Sequence, residues 1–338
     1  MNTKENLLNI LNQARGTYLS GEEIAFRLSI SRGAVWKAVK ALQAEGYRIH
    51  AVTNKGYCLA ENTDLLSAES IRSQLRPELQ SIPLEVCPAL PSTSRTIRER
   101  ALQNSAPEII LLAEQQTAGR GHKGAPFFSP PKTGLYMSLY IRSGLPLSQS
   151  FLPTALTAAA VAGAIEEMSG EAVQIQWPDH LFQQGKKVAG ILTEANLTLE
   201  TGNIDFFIIG IGVNILTPPE GFPPKLARHA APILAQEQAA GGSRAWLAAA
   251  VLNRLLPAIR QLPAADLFAD YKRRLLLSGK PVVLSGCSPA EISAQIQDIL
   301  PDGRLLLQLP NGEIRGCSIE QTAAFSPEAV EESKHLNP

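Results

Sequence analysis

Between Gln176 and Glu194 the chain reads Gln-Trp-Pro-Asp-His-Leu-Phe-Gln-Gln-Gly-Lys-Lys-Val-Ala-Gly-Ile-Leu-Thr-Glu. Two apolar runs, Ala172–Trp177 and Val188–Leu192, flank a polar turn at Gly185, the pattern of a strand hairpin. Lys187 opens the second arm, and Gly190 leaves room for a ligand or another backbone to come close. A cation fixed on a strand beside a glycine gap suits an anionic small molecule. Taken alone, the segment reads first as an ordinary hairpin with a solvated lysine. The segments around it shift that balance.

Upstream, Ala113–Pro130 reads Ala-Glu-Gln-Gln-Thr-Ala-Gly-Arg-Gly-His-Lys-Gly-Ala-Pro-Phe-Phe-Ser-Pro. Gly119, Gly121 and Gly124 free the backbone to wrap a ligand, Arg120 and Lys123 bring positive charge, and Phe127 and Phe128 offer rings to cover a planar group. The apolar runs Ile109–Ala113 and Leu135–Ile141 bracket this loop. It therefore joins strand to strand, which excludes the strand-to-helix opening of a Rossmann or Walker site. Downstream, Phe206–Ile215 reads as a buried strand carrying Gly210, Gly212 and Asn214, and Ser92-Thr93-Ser94 supplies short hydroxyls after an apolar entry.

Taken together these blocks resemble the biotin protein ligases. The order is Ser92-Thr93, the Gln116…Gly119-Arg120-Gly121…Gly124 loop, Trp177-Pro178, Lys187-Val188-Ala189-Gly190-Ile191-Leu192, and Gly210-x-Gly212-x-Asn214. The resemblance runs from Leu7 to Phe325. It implies a class II synthetase-like α/β catalytic domain on a mixed sheet, with biotin and ATP as substrates and Mg2+ as the accompanying ion. Biotinyl-adenylate forms first, and a lysine of a biotin carboxyl carrier domain then takes the acyl group. The chemistry brings a carboxylate against a phosphate, so fixed cations and backbone amides are required in a site closed to water. By resemblance Lys187 bridges the two anions, and Arg120 with the loop around Gly119, Gly121, His122, Lys123 and Gly124 clamps the phosphate side. Ser92, Thr93, Ser94 and Gln116 hold biotin, Phe127, Trp177, Gly190 and Gly212 line the pocket, and Asn214 holds the adenylate.

The chain departs from the family pattern at several charged positions. The usual Lys-Trp-Pro-Asn-Asp is here Gln176-Trp177-Pro178-Asp179-His180, and arginines of the glycine loop are replaced by His122 and Ala125. Losing one charged hydrogen bond costs about 1.5–3 kcal/mol, so slower adenylation is expected. His122 and His180 restore positive charge only when protonated. His122, His180 and Asp179 lack metal-ligand spacing, and no metal site is assigned.

The N-terminal residues stand apart. Glu5–Gln13 is amphipathic, Ser20 with Glu23 forms a capping box, and Ser31 caps a second helix carrying Val35, Val39 and Leu42. Gly46 is placed as the stop of that helix. Tyr47–Val52 and Tyr57–Leu59 about Asn54-Lys55-Gly56 read as a hairpin wing. Ser31, Arg32, Lys37 and Lys40 on the second helix, with Arg48 and Lys55 on the wing, make a positive surface for DNA phosphates; a helical protein-interaction domain is the alternative. The family has members with such a domain, resembling the biotin operon repressor, in which the adenylate-loaded form dimerises on operator DNA.

The chain of 338 residues carries 31 basic and 31 acidic side chains, so attraction to nucleic acid must come from local patches. Cys58, Cys87, Cys287 and Cys317 share no CxxC spacing, there is no apolar leader and no run of membrane-spanning length; a cytoplasmic protein with reduced thiols is expected. The alanine-rich Ala155–Ile165 and Ala245–Ile259 read as helices on the sheet, and Leu216–Ala240 as a loop with short helices. From Ser278, the runs Val282–Leu284, Glu291–Ile299, Leu305–Gln308 and Glu313–Cys317, with turns at Gly286, Asp302-Gly303 and Asn311-Gly312, read as a small antiparallel barrel, SH3-like by resemblance. The expected organisation is multidomain α+β: winged helix-turn-helix 1–62, ligase domain 63–275, SH3-like domain 276–325 and a tail 326–338. The expected function is a biotin–protein ligase that also represses transcription. Its rivals are a regulator that only senses biotin, and a lipoate-type acyl ligase.

Overall fold

The structure, a computed structural model, describes residues 3–44, 47–60, 64–103, 107–198, 200, 202–235, 243–276, 281–285, 292–317 and 323–325. Gly46, Ser278, Gly286, Cys287 and the tail 326–338 lie outside them.

The N-terminal unit begins with α1 (Thr3–Gln13), α2 (Gly21–Leu28) and α3 (Arg32–Ala44), followed by β1 (Ile49–Val52) and β2 (Gly56–Leu59), which pair as an antiparallel wing. Ser20 caps α2 by accepting from the Glu23 amide at 3.0 Å. The Glu23 carboxylate reaches forward to Arg27. Ser29 adopts left-handed backbone to close α2, and Ser31 accepts from the Ala34 amide at 3.2 Å to start α3. The turn between α2 and α3 is thus fixed by two serines, Ser29 and Ser31. Leu7, Leu8, Leu11, Ile24, Val35, Val39 and Leu42 form its core. Gly56 (φ +99) must be glycine, since a Cβ would lie 2.0 Å from the Leu19 carbonyl oxygen.

The central unit contains α4 (Ala68–Arg72), β3 (Leu84–Cys87), α5 (Thr93–Gln103), β4 (Ile109–Ala113), β5 (Gly134–Arg142), α6 (Leu152–Ser169), β6 (Gln174–Gln176), β7 (His180–Gln183), β8 (Lys186–Thr198), β9 (Asn203–Asn214), α7 (Pro224–Ala227), α8 (Ser243–Arg260) and α9 (Ala265–Arg273). Its seven strands run β3-β4-β5-β9-β8-β7-β6, with β3–β4 parallel and the other neighbours antiparallel. The sheet is mixed, as expected. One face packs under α6 and α8, whose alanines (Ala155, Ala158, Ala159, Ala245, Ala248 and Ala249) are buried in the main core. The other face carries a smaller cluster under α5, built from Ile97, Leu111, Tyr140, Phe206 and Ile208.

The hairpin expected around Gly185 is corrected in one arm. Its first strand is β7, not Ala172–Trp177; the latter supplies the separate edge strand β6. Pro178 has no amide hydrogen to donate and breaks the run after Trp177. The turn itself is Gln184-Gly185, both left-handed (φ 49 and 75), the conformation a two-residue hairpin needs.

The C-terminal unit comprises β10 (Pro281–Ser285), β11 (Ile292–Ile299), β12 (Leu305–Gln308), β13 (Ile314–Cys317) and β14 (Ala323–Phe325), an antiparallel sheet in the order β13-β12-β11-β10-β14. It leans on the central unit where Gly303 meets Phe151 and where Lys272 pairs with Asp298 at 2.7 Å. The N-terminal unit is tied on by polar contacts, Glu5 to Arg72 at 3.8 Å and Tyr47 to Ser67. Arg244, 2% exposed, pins the chain just beyond that unit: its guanidinium donates to the Asp64 carboxylate, the Asp64 carbonyl and Glu114, each at 2.7 Å.

Candidate active site

A single register row crosses all seven strands of the central sheet: Cys87, Ala113, Tyr136, Gly212, Gly190, His180 and Gln176. Directly paired residues point to the same face, so blocks far apart in sequence share one floor. The next row, Leu111, Ser138, Gly210 and Leu192, lies beside it toward α5. Glycines in both rows leave the middle of the floor low.

Lys187 reaches this floor because of a β-bulge. By strict alternation Lys187 and Gly190, three residues apart, would face opposite ways. The register shifts so that His180 opposes Gly190 while Phe182 opposes Lys187, leaving Val188 as the extra residue. Val188 and Ala189 both turn into the core, and the bulge re-aims the lysine. A Cβ at Gly190 would lie 3.5 Å from both Cε and Nζ of Lys187. The lysine backbone is held from the other side by the segment after α7: its amide donates to the His229 carbonyl at 2.7 Å, and its carbonyl accepts from Ala231 at 3.0 Å.

Ser92, Thr93 and Ser94 sit at the N-terminus of α5, a placement the sequence reading left unassigned. Thr93 donates its amide to Gln116 Oε1 at 2.9 Å, and its hydroxyl lies 3.1 Å from the same oxygen and 2.7 Å from Ser138 Oγ. Ser94 Oγ lies 2.9 Å from Ser138 Oγ, and Gln116 Nε2 donates to Ser129 Oγ at 3.0 Å. These hydroxyls and the amide form one connected polar wall, worth more together than pairwise. Ser138 was missed; its signal is a lone polar residue inside the Leu135–Ile141 run. A Cβ at Gly210 would lie 2.5 Å from Ser94 Oγ and push that hydroxyl off Ser138.

The glycine loop folds back on itself. Phe127 donates its amide to the Gly119 carbonyl at 2.9 Å and Gly121 donates to the Ala125 carbonyl at 2.7 Å, with His122, Lys123 and Gly124 in a helical turn between. Gly119 has no space for a side chain: a Cβ would sit 2.6 Å from the Phe127 carbonyl oxygen. The Phe127 ring lies over Gly212, where a Cβ would be 2.5 Å from its Cε1 and Cζ, and beside Gly190. Arg120 and His122 are exposed on the loop. Asn214 ends β9, partly buried, with its carbonyl accepting from Ile233 at 2.9 Å. Trp177 packs against the core, its buried indole N–H without an acceptor among the described residues.

The charged groups around Lys187 set its protonation. Asp179 is only 5% exposed, and burial pushes its carboxyl up to about 6 against the opposing pull of Lys187. Burial brings the lysine down to about 8, with Asp179 holding it from falling further. Both are therefore mostly ionised at pH 7. Burial, then Lys187 and His122, push His180 down to about 3. Its side chain is 36% exposed, so solvent offsets part of that shift but not its direction. His180 is neutral at pH 7 and supplies no positive charge there. The Asp179 carbonyl accepts from Ile191 at 3.0 Å, and Tyr271 of α9 donates to the Pro178 carbonyl at 2.9 Å, fixing the Trp177–Asp179 turn from below. Nothing in the sequence singled out Tyr271. Among the described residues no group of three His, Cys, Asp or Glu could hold a metal.

On the N-terminal unit, Ser31, Arg32, Lys37, Lys40, Arg48 and Lys55 are all exposed. The Lys55 ammonium stands 5.9 Å over the Tyr18 ring, which brings the tip of the wing against the segment entering α2.

Residues 3–58 match the model of the HTH domain, and residues 86–214 that of the Biotin/lipoate A/B protein ligase family. The bifunctional ligase/repressor BirA of Bacillus subtilis is 37% identical over 223 residues, 66% of this chain and 68% of the relative. The chain belongs to the bifunctional ligase/repressor family. The family member from Escherichia coli, also a bifunctional ligase/repressor BirA, is 32% identical over 60% of this chain and 61% of its own. The fold is that of the biotin protein ligase from Aquifex aeolicus in complex with biotin and ATP, with TM-score 0.56, 22% identity, and coverage of 72% of this chain and 98% of that one.

Proposed function

We propose that this chain is an ATP-dependent biotin–protein ligase whose winged helix also binds operator DNA as a biotin-responsive repressor. The observation that carries the ligase reading is Lys187, bulged onto a glycine floor between the Ser/Thr/Gln wall and the glycine loop. In the first step a biotin carboxylate oxygen attacks the α-phosphorus of ATP, and the bond to the β-phosphate breaks to release pyrophosphate. Two anions must meet, and Lys187, mostly charged at pH 7, offsets their repulsion. The wall of Ser92, Thr93, Ser94, Gln116 and Ser138 holds the ureido end, while Phe127, Gly190 and Gly212 form the apolar trough for the rest. Arg120 and the loop amides hold the phosphate side and keep water from the mixed anhydride. In the second step the neutral amine of a carrier-domain lysine attacks the acyl carbon and AMP leaves.

Mg2+ is proposed as the counter-ion that would accompany ATP and offset the charge of its phosphates. The described residues offer no dedicated cage, so the fit is to the nucleotide rather than to the chain. The C-terminal sheet is read as an SH3-like barrel that assists nucleotide and carrier engagement; its five antiparallel strands support this. The units are taken as 1–62, 63–275 and 276–325, with ligand-dependent dimerisation and a cytoplasmic location. No helix among the described residues is long and apolar enough to cross a membrane.

A biotin-sensing regulator without ligase turnover is the second reading, favoured by neutral Gln176 and His180 side by side on the site floor. Titration calorimetry with biotin, with biotin plus ATP and with lipoate, followed by labelling of a biotin carboxyl carrier domain, separates the readings. Biotin binding with carrier labelling supports the ligase. Biotin binding with no labelling supports the sensor, and preference for lipoate overturns both.

A further inference from the structure

Among the described residues the exposed large aromatic side chains are Tyr18, Phe26 and Trp36, and all belong to the N-terminal unit. Tyr18 lies under Lys55 of the wing. Trp36 is different, because it stands on the outer face of α3 with 53% of its surface exposed. The inner face of that helix is spent on Val35, Ala38, Val39 and Leu42. The outer face carries Arg32, Gly33, Trp36, Lys37 and Lys40. Arg32, Trp36 and Lys40 are spaced four apart and so form one row along the helix. None of the three cations pairs with an acidic group among the described residues. A large indole framed by free cations fits a polyanion with apolar groups between its charges, which is the major groove of duplex DNA.

Gly33 adds a second observation. It lies one helical turn before Trp36, and a Cβ there would meet only Ser31 Oγ, at 3.9 Å. The protein itself does not need a glycine at this position, and glycine costs helix stability relative to alanine. The open space is where a duplex would approach α3 most closely.

We propose that Trp36 sets the base preference of α3 by packing its indole on the 5-methyl group of a thymine in the major groove. This rests on the DNA-binding reading above. Lysines held at phosphates bind all sequences alike and position the helix. Trp36 supplies a contact that distinguishes thymine from cytosine, whose corresponding edge lacks the methyl group.

The test starts by selecting binding sites from a randomised duplex library with the full chain in the presence of biotin and ATP. Affinities are then compared for the selected site and for copies in which single thymines are replaced by deoxyuridine, a change that removes only the methyl. At one thymine the unmutated protein should lose about three- to tenfold in affinity. Trp36→Ala should bind the selected site more weakly and be indifferent to that replacement. Trp36→Phe, which keeps an aromatic face, should retain the sensitivity. Lys40→Ala should weaken both duplexes alike and leave their ratio unchanged. Circular dichroism of each variant checks that α3 is intact. Specific binding by Trp36→Ala with an unaltered thymine-to-deoxyuridine ratio would overturn the assignment while leaving the DNA-binding reading in place. Failure of the unmutated protein to select any site would overturn both.

Discussion

On the proposed reading Lys187 carries the chemistry, and its protonation gives the sharpest residue-level predictions. Lys187→Ala should slow single-turnover adenylate formation by about 10²–10³-fold, the usual cost of removing one electrostatic donor from a transition state. It should still fold, with a modest loss of thermal stability at pH 7, because Asp179 is left buried without its counter-charge. The charged form is the active one and titrates near 8, so the rate should fall as pH rises through 8. Asp179 holds the lysine up. Asp179→Asn should therefore move this alkaline limb to lower pH, and a limb that stays put or moves up would show the two are not coupled. His180 does not stand in for the missing cation, since its imidazole is pushed well below the working pH. Gln176→Lys should then raise the rate at pH 7, because a cation returns to the same register row.

At the scale of elements, the glycine loop and β9 are built around absent side chains. Gly119→Ala would press a methyl against the Phe127 carbonyl, backbone that cannot swing aside. Biotin affinity should drop at least about tenfold, from forcing a loop that is otherwise held by its own hydrogen bonds. Gly121→Ala, which meets nothing closer than 3.7 Å, should bind biotin nearly as the parent does; equal losses in both would contradict the geometry. Much of this was legible beforehand. The apolar runs of β4, β5 and β9 and the capping serines of α2 and α3 follow from local pattern. What was not legible is the set of long-range pairings. No periodicity indicates that Gln176, His180, Gly190, Gly212 and Tyr136 form one row, that Val188 bulges to redirect Lys187, or that Tyr271 braces the turn at Pro178. The mistaken hairpin arm has the same origin: Leu181 and Phe182 form too short an apolar pair to compete with the longer run before Trp177.

Across the whole molecule, Arg244 anchors the start of the central unit, just after the N-terminal unit ends. It is buried at the start of α8 and holds both Asp64 and Glu114, and Glu114 lies two residues from Gln116 of the ligand wall. Arg244→Met would strand two partly buried carboxylates, costing about 3 kcal/mol in urea unfolding, the lower end for a broken buried pair since both carboxylates keep some exposure. Adding Asp64→Asn and Glu114→Gln should recover part of that loss. The DNA-binding surface is local on a chain of zero formal net charge, so operator affinity should fall steeply with salt and each lysine lost from α3 should reduce the slope by about one. These charges and the altered site floor meet in one question, whether a pocket lacking several expected cations still activates biotin through Lys187. Single-turnover release of pyrophosphate from ATP, with the full chain at pH 7 and either biotin or lipoate, answers it directly. The result expected is stoichiometric release that requires biotin, is not supported by lipoate, and is lost in Lys187→Ala. Biotin binding without pyrophosphate release, or release undiminished in Lys187→Ala, would contradict it.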